Sequence, residues 1–128
     1  MSVSFDHTIV PCRDKRAATA FVSEILATEP PREEGPFMAL DLGNAVSLYF
    51  ADWFEEVHPQ HYCFHVSDDE FEAVRRRLVE RGLTYWADPH TRLPGEVNHD
   101  DGGSGLYFKD LDDHFLEVIT VRYGQESA

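Results

Sequence analysis

The stretch HYCFHVSD, residues 61–68, decides the fold. Its aromatic-rich first half, opening on His61, reads as a β-strand. Its last two residues open a helix, SDDEFEAVRRRLVERG, in which Ser67 is the cap, Glu70 stands at the capping-box position and Gly82 is the stop. Phe71, Val74, Leu78 and Val79 form the expected apolar stripe of that helix. Downstream, LTYWAD reads as a strand and PHTRLPGEVNHDDGGSG as a long loop. LYFKD and HFLEVITV are two strands joined by LDD, and RYGQESA is a polar tail.

Upstream the same order occurs once more. DHTIV is a strand that Pro11 ends, and Asp14 is the expected N-cap of RDKRAATAFVSEILATE, with Ala17, Ala20, Phe21 and Ile25 near one stripe. PPREEG is a break or a poor edge strand, because Pro30 and Pro31 cannot donate to a ladder. PFMALDLG and NAVSLYFA read as a hairpin about Gly43-Asn44. The chain is thus expected to be two βαβββ modules, about 3–52 and 60–121, with a tail at 122–128, in one domain over 1–128. An offset of 54 places His7 on His61 and Asp14 on Asp68. An offset of 69, absorbed by the 90–104 loop, places Leu48 on Glu117.

Charge excludes some partners. Twenty-four acids against 11 Lys and Arg give −13, which argues against nucleic acid or anionic lipid. The cluster Arg75–Arg76–Arg77 sits in a Glu-rich helical pattern and reads as a solvated face. No apolar stretch approaches the length of a membrane span, and MSVSFDHTIV has no secretory pattern. With two cysteines, Cys12 and Cys63, in different segments, this points to a cytoplasmic protein with reduced thiols acting on a small-molecule substrate.

The repeat singles out three residues. His7 and His61 take matching places on matching strands. Glu117 lies in an apolar strand, where a carboxylate is costly unless paired. Two histidines and one carboxylate from three strands fit the facial set of an open-sited metal centre holding Fe, Mn, Ni or Zn. Taken singly, each has a plainer reading: a strand histidine is more often structural, and Arg122 competes as a partner for Glu117. His65 shares the face of His61 but lies about 13 Å along the strand at ~3.3 Å per residue, so it reads as structural or as a supporting catalytic group.

At these residues the sequence resembles the vicinal oxygen chelate superfamily, which groups glyoxalases, extradiol dioxygenases, fosfomycin-inactivating transferases, epimerases and bleomycin-resistance proteins. The similar stretches are DHTIV at 6–10, HYCFHVSD at 61–68 and GLYFKDLDDHFLEVIT at 105–120, the last with Asp113 where the family pattern has Gly. The resemblance implies an α+β fold, two βαβββ modules forming an open cup-shaped mixed β-sheet, and a homodimer whose site is often built from both subunits. By position it implies a divalent metal ion on His7, His61 and Glu117. Leu48 stands where glyoxalase I and the epimerases have a fourth ligand, which counts against their chemistry. Arg92 and Ser104 are the only cation and serine of the 87–105 loop, a poor match to a phosphonate site, and extradiol dioxygenases are usually much longer chains, which counts against their chemistry too. Tyr107, on a strand expected to line the cup, is a candidate catalytic hydrogen-bond donor. The implied activity is Lewis-acid catalysis on a small oxygen-rich substrate. The alternative is a non-catalytic, bleomycin-resistance-like protein that sequesters a small molecule, with Tyr49, Trp53, Tyr85 and Trp86 as stacking surface.

Overall fold

The computed structural model describes residues 2–125. The chain divides into two compact units, with the boundary between His58 and Pro59. The class is α+β, and each unit is one helix on a four-stranded mixed sheet.

In the first unit the elements are β1 (His7–Pro11), α1 (Lys15–Leu26), β2 (Arg32–Glu34), β3 (Phe37–Asp41) and β4 (Ser47–Ala51). The sheet order is β1-β4-β3-β2, with β1 parallel to β4 and the other pairs antiparallel. A parallel pair cannot close through a tight turn and needs a long crossover, here the one that includes α1. Asp14 caps α1, accepting from the amides of Arg16 and Ala17 at 3.1 Å each. The buried side of α1 is Ala18, Thr19, Val22, Ser23 and Ile25, not the stripe through Ala17, which is exposed. It lies against β3 and β4. The buried Met38 and Leu40 pair across the ladder with the buried Phe50 and Leu48.

PPREEG takes the second of its two readings, a poor edge strand: β2 is exposed throughout and lies at the sheet edge. One expectation of the first unit changes. The β3–β4 connection is not a two-residue hairpin: residues 42–46 make a short 3-10 turn in which both Asn44 (φ 61°) and Ala45 (φ 60°) are left-handed.

The second unit repeats the plan: β5 (His61–His65), α2 (Asp68–Glu80), β6 (Tyr85–Trp86), β7 (Gly105–Lys109) and β8 (Phe115–Ile119), in the order β5-β8-β7-β6 with β5 parallel to β8. The full capping box forms at α2: Ser67 Oγ accepts from the Glu70 amide at 3.2 Å, and the Glu70 carboxylate accepts from the Ser67 amide at 2.8 Å. Phe71, Val74 and Leu78 are buried, whereas Val79 is 56% exposed and is no part of the stripe. LTYWAD shrinks to a two-residue strand, because the chain leaves the ladder at Trp86, where isolated bridges from Pro94 and from Asn98 to Gly105 take over.

The β7–β8 turn explains the Asp at 113. Its φ of 63° is left-handed, the region Gly enters freely and Asp tolerates through its short polar side chain. Asp110 braces the turn, accepting from the amides of Asp112 and His114 at 2.9 Å each. The buried His114 accepts from the Gln60 amide at 2.8 Å and so ties the turn to the start of β5.

Two outcomes follow. Asp113→Gly is expected to leave the melting temperature nearly unchanged, while Asp113→Val costs about 1–3 kcal/mol; equal melting curves for the two variants would show that the turn has another conformation. Arg32 grips both Asp41 oxygens, at 2.8 and 3.1 Å, and Ser47 adds a bond at 2.7 Å, which lowers the Asp41 carboxyl below the ordinary range. The folded value is the lower one, so the contribution is complete above the unfolded aspartate range near pH ~4 and is lost as pH falls through the folded value. The difference in thermal stability between wild type and Asp41→Asn should therefore be largest near neutral pH and close in strong acid; a difference constant with pH is the contrary result.

Candidate functional site

Strand alternation sends Leu106, Phe108, Leu116 and Val118 to one side of the second sheet and the residues between them to the other. That other side carries His61, Cys63 and His65 from β5, Phe115, Glu117 and Ile119 from β8, and Tyr107 from β7. The register puts Cys63 and Tyr107 on either flank of Glu117.

Glu117 is 2% exposed, in the middle of β8. Both of its oxygens have partners. Oε1 lies 3.1 Å from His61 Nε2, and Oε2 accepts from the Tyr123 hydroxyl. His61 Nδ1 lies 2.9 Å from the Phe115 carbonyl oxygen. A carbonyl oxygen only accepts, so Nδ1 carries the ring proton. In the neutral ring Nε2 then presents a lone pair to a carboxylate oxygen. Two acceptors at 3.1 Å repel unless a proton or a cation lies between them. A backbone carbonyl on one ring nitrogen, with the other aimed at a carboxylate, is how metal-binding imidazoles are oriented. The donor set therefore fits a divalent ion. The imidazole is about half exposed while the carboxylate is buried, so the pair opens toward solvent on the His61 side.

The neighbours are neutral donors. Burial, opposed by the Tyr123 hydrogen bond and assisted by the Glu117 charge, raises the Tyr107 phenol. Burial and then the bond to Glu117 raise Tyr123. Cys63 is exposed as a residue, yet its thiol lies beside Glu117, and burial followed by the Glu117 charge pushes it up to about 12. It is thus a thiol at neutral pH and no ready nucleophile. A pocket of about 30 Å³, lined by residues including Asn98, Ser104, Tyr107, Glu117 and Tyr123, adjoins the carboxylate. Aromatic rings border the pair: His61 to Tyr107 at 6.1 Å, Tyr107 to Phe115 at 5.3 Å and Phe115 to Trp86 at 6.1 Å, the first two near parallel.

His65 is exposed, with its Nε2 3.1 Å from the Thr120 carbonyl oxygen at the far end of β5. His7 belongs to the first unit. Its ring stacks on Tyr49 at 4.5 Å, and Nδ1 lies 2.6 Å from Asp6. Among the described residues no group of three or more His, Cys, Asp and Glu is gathered around one point; the pair brought together is His61 and Glu117.

The ladders also correct the repeat. His7 pairs with Ser47 as His61 pairs with Phe115. Superposed on these registers, the residue matching Glu117 is Tyr49, and Leu48 matches the core residue Leu116. The β3–β4 and β7–β8 connections are equally long, residues 42–46 and 110–114, so the same match holds along both strands. A fourth carboxylate or amide is still missing, but an aromatic ring stands in its place.

Sequence reasoning missed Tyr123, assigned to the polar tail. A signal existed: 117, 119, 121 and 123 share the parity of the site face. The segment that carries Tyr123 is held by paired bonds between Ser104 and Thr120, at 2.8 and 3.0 Å. Gly103 permits this approach, since a Cβ there would lie 2.4 Å from Thr120 Oγ1 and 2.7 Å from Val121 Cγ2.

Comparison with known proteins places these features in a family. No family model matches the sequence. A glutathione transferase, FosA of Serratia marcescens, is 28% identical over 124 residues, covering 92% of this chain and 81% of that protein. The solved structure of oxidase ChaP-H1 is 46% identical, with a TM-score of 0.94, over 97% of this chain and 100% of that one. A glyoxylase/bleomycin resistance protein/dioxygenase domain from Frankia sp. EAN1pec has a TM-score of 0.63 at 22% identity, over 98% of this chain and 96% of that one, a likeness of fold alone. With the paired βαβββ units and the His61–Glu117 pair, these relatives place the chain in the vicinal oxygen chelate superfamily.

Proposed function

We propose that this protein is a divalent-metal-dependent enzyme that oxidises a small, planar, oxygen-bearing substrate with dioxygen as the oxidant. The observation that carries this reading is the His61–Glu117 pair, whose Nε2 and Oε1 face each other at 3.1 Å with the ring proton committed elsewhere. The resemblance adds His7 as the third ligand; it holds on β1 the ladder position that His61 holds on β5. An ion held there would supply Lewis-acid charge stabilisation to a substrate oxygen.

The protein's own residues supply the rest. The Phe115 carbonyl fixes the His61 ring. The rings of Tyr107, Phe115 and Trp86 offer a flat substrate a stacking surface and exclude water. The Tyr107 phenol, kept neutral, donates to a substrate oxygen. His65 steadies the end of β5 through the Thr120 carbonyl. Oxidation is favoured over thiol transfer for two reasons. An oxidase is the relative at 46% identity. Glutathione is anionic, and it would meet a chain of charge −13 whose 87–105 loop holds one cation, Arg92. The active species is a homodimer; Val3, Phe5 and Ile9, exposed by 81, 61 and 40% in and before β1, supply apolar surface for it.

A second reading rests on the first unit's aromatic series, Tyr49–Phe37–Trp53–Phe54, with centroids 5.2–5.6 Å apart and Trp53 54% exposed. Such rings also suit a protein that binds a flat molecule without turning it over.

Elemental analysis of protein purified without a histidine tag tests the first reading. Near one transition-metal ion per chain is expected, lost in His7→Ala, His61→Ala and Glu117→Ala. Oxygen uptake should follow with an aromatic vicinal diol and be negligible with an aliphatic one. Tight binding of the aromatic diol that survives chelation, without oxygen uptake, selects the second reading. The assignment also has a stability side. In metal-free protein the buried carboxylate is a cost, and its partners His61 and Tyr123 are 51 and 59% exposed and can turn to water, so Glu117→Leu should not lower the melting temperature; a clearly lower one would show that Glu117 is structural.

A further inference from the structure

We propose that Tyr123 is a positioning residue: it holds Glu117 so that Oε1 alone is offered toward His61. This rests on the metal reading above and concerns how the carboxylate is presented. A glutamate on a strand has a broad, roughly two-fold terminal torsion, so an untethered carboxylate exchanges its two oxygens easily. Here the Tyr123 hydroxyl donates to Oε2. Only Oε1 then remains on the side of His61 Nε2, 3.1 Å away. The phenol has one proton to give, and it gives it to Glu117. The Tyr107 hydroxyl, 3.4 Å from that of Tyr123, extends the series of phenols across the pocket.

The placement of Tyr123 is built by the chain around it. The Ser104–Thr120 bonds clamp the segment leaving β8. Past Tyr123 the chain turns back through Gly124 at φ 74°, closed by the Gln125 amide on the Arg122 carbonyl at 3.1 Å. Tyr123 is itself 59% exposed, so its burial does little for the core and its hydroxyl bond to a buried carboxylate is its main contact with the site. Glu117 would then hold a cation through Oε1, with Oε2 kept on the Tyr123 hydroxyl.

The test is Co(II) titration of wild type, Tyr123→Phe and Glu117→Ala, followed by the visible absorption band, with melting of the metal-free proteins alongside. Tyr123→Phe is expected to bind Co(II) about 10–100-fold more weakly and to show an altered band, with the metal-free melting temperature unchanged. Wild-type affinity and band in Tyr123→Phe overturn the positioning role and leave the metal reading standing. Weaker binding with an unaltered band and a lowered melting temperature marks a merely structural role and also overturns it. No Co(II) uptake by wild type overturns the metal reading itself, and this inference with it.

Discussion

A carboxylate in the centre of a buried strand is the constraint on which the second unit turns. Glu117 cannot be left without partners at 2% exposure. It is flanked by Cys63 on β5 and Tyr107 on β7, met by His61 on one oxygen and by Tyr123 on the other. The neutral groups among these are held neutral by the burial and the charge they share. Every element of the unit except α2 and β6 contributes an atom to this arrangement, and β6 adds the Trp86 ring at its border.

The two units share a plan and differ in charge. At matched ladder positions one has Tyr49 and the other Glu117, and each stands beside the matched histidine of its own unit. In the first unit the histidine stacks on an aromatic ring; in the second it faces an anion. Duplication of a fold thus leaves the same residue at two equivalent corners with different neighbours, an aromatic ring in one and a carboxylate in the other.

Much of this was legible in the sequence because local rules dominate there. The Asp14 and Ser67 caps, the β–α–β order and the shared face of His61 and His65 all rest on short-range chemistry that tertiary structure left intact. The failures have a common cause. The 42–46 turn uses left-handed Asn44 and Ala45, and alanine gives no warning of that conformation. Letters alone do not fix a ladder register, so the match fell on Leu48 in place of Tyr49. Val79 and Ala17 fit helical stripes whose true direction is set by where the sheet lies. Tyr123 was passed over because a polar composition hides a single residue folded back on the strand before it.

Gly103 has a meaning for how such proteins diversify. Its hydrogen lies where any side chain would strike Thr120 and Val121, so the long loop after β6 and the segment after β8 share one seam. At exposed loop positions that take no part in the Asp88 bonds or the Trp86–Pro94 and Asn98–Gly105 bridges, rewriting costs little. At this seam the two segments are coupled, and a change in one is tolerated only with a compensating change in the other. Evolution of the loop toward new ligands is therefore free at its tip and constrained at its root, where it meets the segment bearing Tyr123.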